Sequence, residues 1–90
     1  MLLNKTITNE AEFHEILKKI CSEIDNGLLE QCLGFDDFLC TKEDIHKFVS
    51  ERKYPDYIRL YFKEIETSHK FLLEVETYHG IGGCFRRLDG

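Results

Sequence analysis

Two stretches decide the fold. The first is Tyr57-Ile58-Arg59-Leu60-Tyr61-Phe62-Lys63 and the second is Phe71-Leu72-Leu73-Glu74-Val75-Glu76-Thr77. In the first, Ile58, Leu60 and Phe62 alternate with Tyr57, Arg59, Tyr61 and Lys63. In the second, Phe71, Leu73 and Val75 alternate with Leu72, Glu74 and Glu76. Successive side chains of a strand point to opposite faces, so this period of two describes strands with one apolar and one wet face. The segment Glu66-Thr67-Ser68-His69 joins them as a turn. A turn centred between Thr67 and Ser68 pairs Phe62 with Leu73, Leu60 with Val75 and Arg59 with Glu76, which puts both apolar sets on one side. A slip of one residue would send them to opposite sides.

Working outward, His79-Gly80-Ile81-Gly82-Gly83 reads as a second turn, and Cys84-Phe85-Arg86-Arg87-Leu88 as a third strand. Upstream, Asn9 followed by Glu12 is a variant of the capping box that opens a helix. Phe13, Ile16, Leu17, Ile20 and Ile24 then recur at helical spacing, and Asp25-Asn26-Gly27 stops the run. Thr41-Lys42-Glu43-Asp44 opens a second helix with Ile45, Phe48 and Val49 as its buried stripe, which Tyr54-Pro55 ends. Leu28 to Leu33 reads equally as strand or short helix, and Phe35-Asp36-Asp37-Phe38 as an ordered loop. The expectation is one α+β domain over residues 1–90. It has helices near 9–25 and 42–52, packed on an antiparallel sheet of three or more strands near 57–65, 70–78 and 83–88.

Composition narrows the function classes. The chain carries 12 Lys and Arg against 17 Asp and Glu, a formal net charge of −5. Phosphate repulsion then opposes nonspecific nucleic-acid binding, and the charge fits a plain soluble acidic surface and a basic partner equally well. No apolar run approaches the ~20 residues that span a bilayer, and the start shows no basic region followed by an apolar one. A cytoplasmic protein with no membrane association is the expectation. The cysteines Cys21, Cys32, Cys40 and Cys84 form no C-x-x-C pair, and His14, His46, His69 and His79 are scattered. Reduced thiols and no bound metal or cofactor follow as expectations.

Several groups could carry chemistry. Gly80-x-Gly82-Gly83 could cradle an anion, but a phosphate loop runs from strand into helix and this one lies between strands, so a turn is the better reading. His79 and Cys84 could pair as imidazole and thiol, yet nothing in the sequence orients them. Glu74 and Glu76 share one strand face with Arg59 and Tyr61 opposite. They are either cross-strand partners of those residues or an acidic recognition patch. Tyr57, Tyr61, Leu72 and Tyr78 stand among those charges, and tyrosine is enriched at binding hot spots. The partner-binding candidates are therefore Tyr61, Glu74, Glu76 and Tyr78 on the hairpin, with Asp36 and Asp37 in the upstream loop. No catalytic residue is assigned, and neither an enzyme activity nor a small-molecule ligand is expected.

In size, charge and pattern the chain resembles the immunity proteins of bacterial toxin–immunity pairs, those of contact-dependent growth inhibition and polymorphic-toxin systems. The stretch Leu73-Glu74-Val75-Glu76-Thr77-Tyr78-His79-Gly80-Ile81-Gly82-Gly83 looks like segments of such proteins. The resemblance implies a stoichiometric inhibitor that occludes the active site of a cognate toxin domain, a basic nuclease in the leading version. The first helix alone, through Glu10-Ala11-Glu12-Phe13 and Ile20-Cys21, is similar to the opening helix of the DNase-colicin immunity family. That family is a four-helix bundle with a Tyr-Tyr-Pro motif. Here only Tyr54-Pro55 is present and the last third alternates as sheet, so its binding residues are not carried over. A phage-encoded inhibitor, a small adaptor protein and a small enzyme remain as alternatives.

Overall fold

A computed structural model describes residues 4–32 and 42–88. It is an α+β fold: helices α1 (Glu10–Asp25) and α2 (Lys42–Glu51) pack on a sheet of β1 (Lys5–Ile7), β2 (Leu29–Cys32), β3 (Tyr57–Glu64), β4 (Lys70–Glu76) and β5 (Gly82–Arg87). The sheet order is β1-β5-β4-β3-β2 and every described pairing is antiparallel. β1 and β2 follow each other in sequence yet occupy opposite edges, so α1 must carry the chain across the whole sheet. Its 16 residues give it a length of ~24 Å, enough to span five strands set ~4.8 Å apart.

The caps explain where α1 begins and ends. The Asn9 side chain accepts from Glu12 N at 2.9 Å. Glu12 reaches one residue further back than a capping box requires, accepting from Thr8 N at 2.9 Å and from the Thr8 hydroxyl at 2.5 Å. Those two bonds hold its carboxyl below the usual carboxylate range. At the other end Gly27 takes φ 74°, Gly27 N donates to Ile24 O and Leu28 N donates to Glu23 O. This is a Schellman closure, which needs a left-handed residue where Gly27 stands.

α2 ends differently from expectation. The helix stops at Glu51, ahead of Pro55. Arg52 turns left-handed at φ 53° while its N–H still donates to Phe48 O. The proline is thus not what breaks the helix. Arg52 approaches Glu10 at 3.5 Å, and His46 lies 3.3 Å from Asp25, which ties the two helices along their length.

The hairpin register also differs. The pairs are Ile58 with Val75, Arg59 with Glu74, Leu60 with Leu73 and Phe62 with Phe71, two residues from the expected pairing. A shift of two keeps every side chain on its face, so alternation could not detect it. The loop sets it: Glu64 N donates to His69 O and Ser68 N to Glu64 O, with Ser68 left-handed at φ 64°. The turn is therefore centred one residue earlier than expected. Of the two short edge strands, β2 takes the strand alternative of the two that the sequence leaves open there, and β1 has no counterpart in the sequence reading.

The core lies between the helices and one face of the sheet. Phe13, Leu17 and Ile20 of α1 and Ile45 of α2 meet Ile58, Leu60, Phe62, Leu73, Val75 and Phe85. The rings of Phe71 and Phe85 stack at 5.2 Å. Tyr54 lies 4.8 Å from the Phe13 ring and 6.3 Å from that of Phe48, closing the helix pair, and burial raises its hydroxyl pKa. Among the described residues, no helix is long and apolar enough to cross a membrane.

Candidate partner-binding site

Both helices lie on the inner face of the sheet, and the outer face receives the other half of the strand alternation. Cross-strand pairing assembles it in rows. Tyr57 stands opposite Glu76. Arg59 stands opposite Glu74, which in turn faces Cys84. Tyr61 stands opposite Leu72, which faces Arg86, and Lys63 stands opposite Lys70. On the β2 side, Cys32 extends the row of Tyr61, and Glu30 that of Lys63.

Glu74 is the organising side chain. The Tyr57 hydroxyl donates to its Oε2, and Arg59 Nε approaches the same oxygen at 3.3 Å. The arginine contact is an ion pair. Next to it Glu76 lies 3.3 Å from His79 Nδ1, and the His79 ring meets the edge of Tyr78 at 4.4 Å. Tyr57 is 43% exposed and Tyr78 66% exposed, so both rings stand in solvent beside the carboxylates. The base of this end is fixed by Thr77, whose N–H donates to Asp56 O and whose hydroxyl donates to Pro55 O at 2.6 Å.

Of the residues singled out from sequence, Glu74, Glu76 and Tyr78 thus come together at one end of the outer face. Tyr61 sits one row further along and is half-buried. Asp36 and Asp37 lie outside the described residues. Tyr57 and Arg59 belong with the group. They were read only as members of a face, because the expected register set Arg59 against Glu76 rather than Glu74.

The face as a whole is graded and not uniformly acidic. Its far end carries Lys63, Lys70 and Arg86, with Glu30 at 3.5 Å from Lys63. Leu72 also departs from the expectation of an exposed apolar side chain. It points to the outer face but is only 2% exposed, between Tyr61 and Arg86 on its two neighbouring strands. Cys32 and Cys84 are thiols on this face, and Cys21 is a thiol in the core. Two strands separate Cys32 from Cys84, a spacing of ~14 Å that no disulfide spans. His79 turns to Glu76, so the thiol–imidazole pairing considered above is not assembled here. Among the described residues, no three His, Cys, Asp or Glu side chains converge as a metal-binding group.

The glycines of the second turn have separate roles. Gly80 takes φ 105°, a conformation that side chains disfavour. Gly83 pairs with Val75 and with Ile7, and a Cβ there would stand 2.0 Å from the Glu74 carbonyl oxygen. It is a close-approach residue between β4 and β5, which lets the strand next to Glu74 sit where it does.

No family model matches the chain, and no solved structure matches it. It is similar to a stretch of the disease resistance protein RPP5 of Arabidopsis thaliana, with 31% identity over 83 residues. That stretch takes in 89% of this chain but only 6% of the plant protein, so the chain spans a small part of the relative's length.

Proposed function

We propose that this protein is a binding module that acts by occupying a partner, and that the acidic-aromatic end of its outer sheet face is the contact surface. The observation that carries this reading is the pair of exposed rings, Tyr57 and Tyr78, flanking Glu74 and Glu76. Tyrosines supply contact area at low entropic cost, and carboxylates held beside them suit Lys and Arg on a partner. In its most specific form the protein is an immunity protein acting in the cytoplasm. It binds a cognate toxin domain, a basic nuclease, one to one and occludes its active site. Net negative charge on the inhibitor then speeds capture of a basic target.

A second reading is favoured by the likeness to a short stretch of a disease resistance protein. In that reading the same surface serves as an adaptor within or beside a larger protein. The two readings share the contact surface and differ in what it contacts.

Affinity capture from the source cells, repeated with variants, tests both. Tyr57→Ala or Tyr78→Ala should weaken the captured complex by about 2 kcal/mol or more, chiefly through faster dissociation. Glu74→Lys with Glu76→Lys should slow association and abolish its salt dependence. A basic nuclease whose activity stops at one equivalent would select the immunity form. Binding unchanged in all these variants would remove the surface, and turnover of a substrate by the chain alone would remove the binding-module reading.

A further inference from the structure

A cleft of about 610 Å3 opens on the other side of the molecule, between β1 and α1. Its charge runs against that of the chain. Among the described residues, Lys5, Lys18 and Lys19 line it against one carboxylate, Glu15, whereas the chain as a whole carries −5. Register explains how Lys5 comes to be there. It lies opposite Phe85, which is fully buried, and shares its strand face with Ile7, which is 1% exposed. By strand parity Lys5 therefore falls on the helix side of the sheet, where the core pattern would place an apolar side chain, but at this edge it remains exposed. Across the gap Glu15, Lys18, Lys19 and Ser22 follow one flank of α1 at helical spacing, and Ile16, 7% exposed, forms the floor.

We infer that this cleft binds a small organic phosphate monoester, with the phosphate among Lys5, Lys18 and Lys19 and its apolar body on Ile16. The charges match: the described lining groups sum to +2, and a phosphate monoester carries about −1.5 to −2 at neutral pH. Lysine ammoniums are point charges suited to phosphate. Glu15 offsets them only in part. It lies 3.4 Å from Lys18, and both side chains are more than half exposed, so the pair is weak and yields to a stronger anion. Glu12, near Lys5, has its carboxylate engaged by Thr8. The volume falls within the ~300–1,000 Å3 usual for small-molecule sites and exceeds what an inorganic anion fills. The apolar floor and the aliphatic lysine stems account for the remainder. This site is independent of the hairpin surface and does not rest on the reading proposed for it.

The competing account is that a lysine on the helix side of an edge strand merely discourages pairing with another chain. Titration of the isotope-labelled full chain, followed by amide resonances, separates the two. Phenyl phosphate should give saturable shifts at Lys5 and across residues 16–22. Inorganic phosphate should bind about 10-fold more weakly, and benzyl alcohol should give no saturable response. Lys18→Gln with Lys19→Gln should weaken phenyl phosphate about 10-fold or more, while Glu15→Gln should tighten it several-fold. The Glu15 variant keeps the test informative because it asks for a gain. Shifts that do not saturate, or saturation unchanged in the double lysine variant, would overturn the inference. So would a Lys5→Gln variant that self-associates yet binds phenyl phosphate at full strength, because that result assigns Lys5 to edge protection alone.

Discussion

On β3 and β4 one backbone supports two faces held by different physics. The inner residues Ile58, Leu60, Phe62, Phe71, Leu73 and Val75 are at most 3% exposed and meet both helices. Their outer neighbours Tyr57 and Arg59 meet Glu74 through a hydroxyl contact and an ion pair, and Glu76 meets the imidazole of His79, contacts that water can replace. Exclusion of water fixes the inner face, where a lost atom leaves a void. The outer face is fixed by pairs whose members remain partly solvated. The first is committed to the fold, and the second is available to a partner.

The largest effect expected from this contrast is on the inner face. Leu73→Ala removes a fully buried side chain opposite Leu60 and should cost about 2–5 kcal/mol, measured as the shift in the urea midpoint at constant slope. A cost under ~1 kcal/mol would mean that the site collapses freely, and the division between the faces would fail.

A smaller effect is expected where the two faces share a backbone contact. Gly83→Ala places a Cβ 2.0 Å from the Glu74 carbonyl oxygen and 2.7 Å from the Val75 Cα, both on β4. Backbone cannot swing aside as a flexible side chain can, so β4 and β5 must separate. The expected loss is about 1–3 kcal/mol. Amide exchange should rise first along β4 and β5, because the separation opens their shared ladder. Wild-type exchange in this variant would show that the strands have room they do not display.

How much of this was legible in the sequence follows the same division. The inner face was readable because apolar alternation is a strong, local signal, and the caps at Asn9 and Gly27 are local too. β1 was not readable: Lys5-Thr6-Ile7 has three residues and one apolar side chain, and its partner β5 lies at the other end of the chain. The register missed by two because parity is all that alternation encodes, and a left-handed Ser68 leaves no compositional trace. That miss reached the candidate site, since it separated Arg59 from Glu74 on paper. The exposed carboxylates and tyrosines could be named individually, but their grouping depended on the loop. Gly83 was visible as a glycine in a turn. Its role in close packing requires knowing that Glu74 lies across from its neighbour.

The smallest expected effect tests the outer face itself. Arg59 and Glu74 are directly opposite, with side chains 39% and 34% exposed, so solvent screens their attraction. A double-mutant cycle of Arg59→Ala and Glu74→Ala should give a coupling of about 0.2–1 kcal/mol, decreasing further in 1 M salt. A coupling above ~2 kcal/mol would show a desolvated pair that belongs with the inner face, and the contrast would be lost. Tyr57→Phe, measured in the same background, asks whether the hydroxyl or the guanidinium orients the carboxylate. The weak coupling matters for function because Glu74 can exchange Arg59 for a cation on a partner at little cost to the fold. A partner's Lys or Arg that excludes water from the carboxylate would gain more than Arg59 does in solvent. The expected size of the cycle is therefore a condition for the proposed surface as well as a property of the sheet.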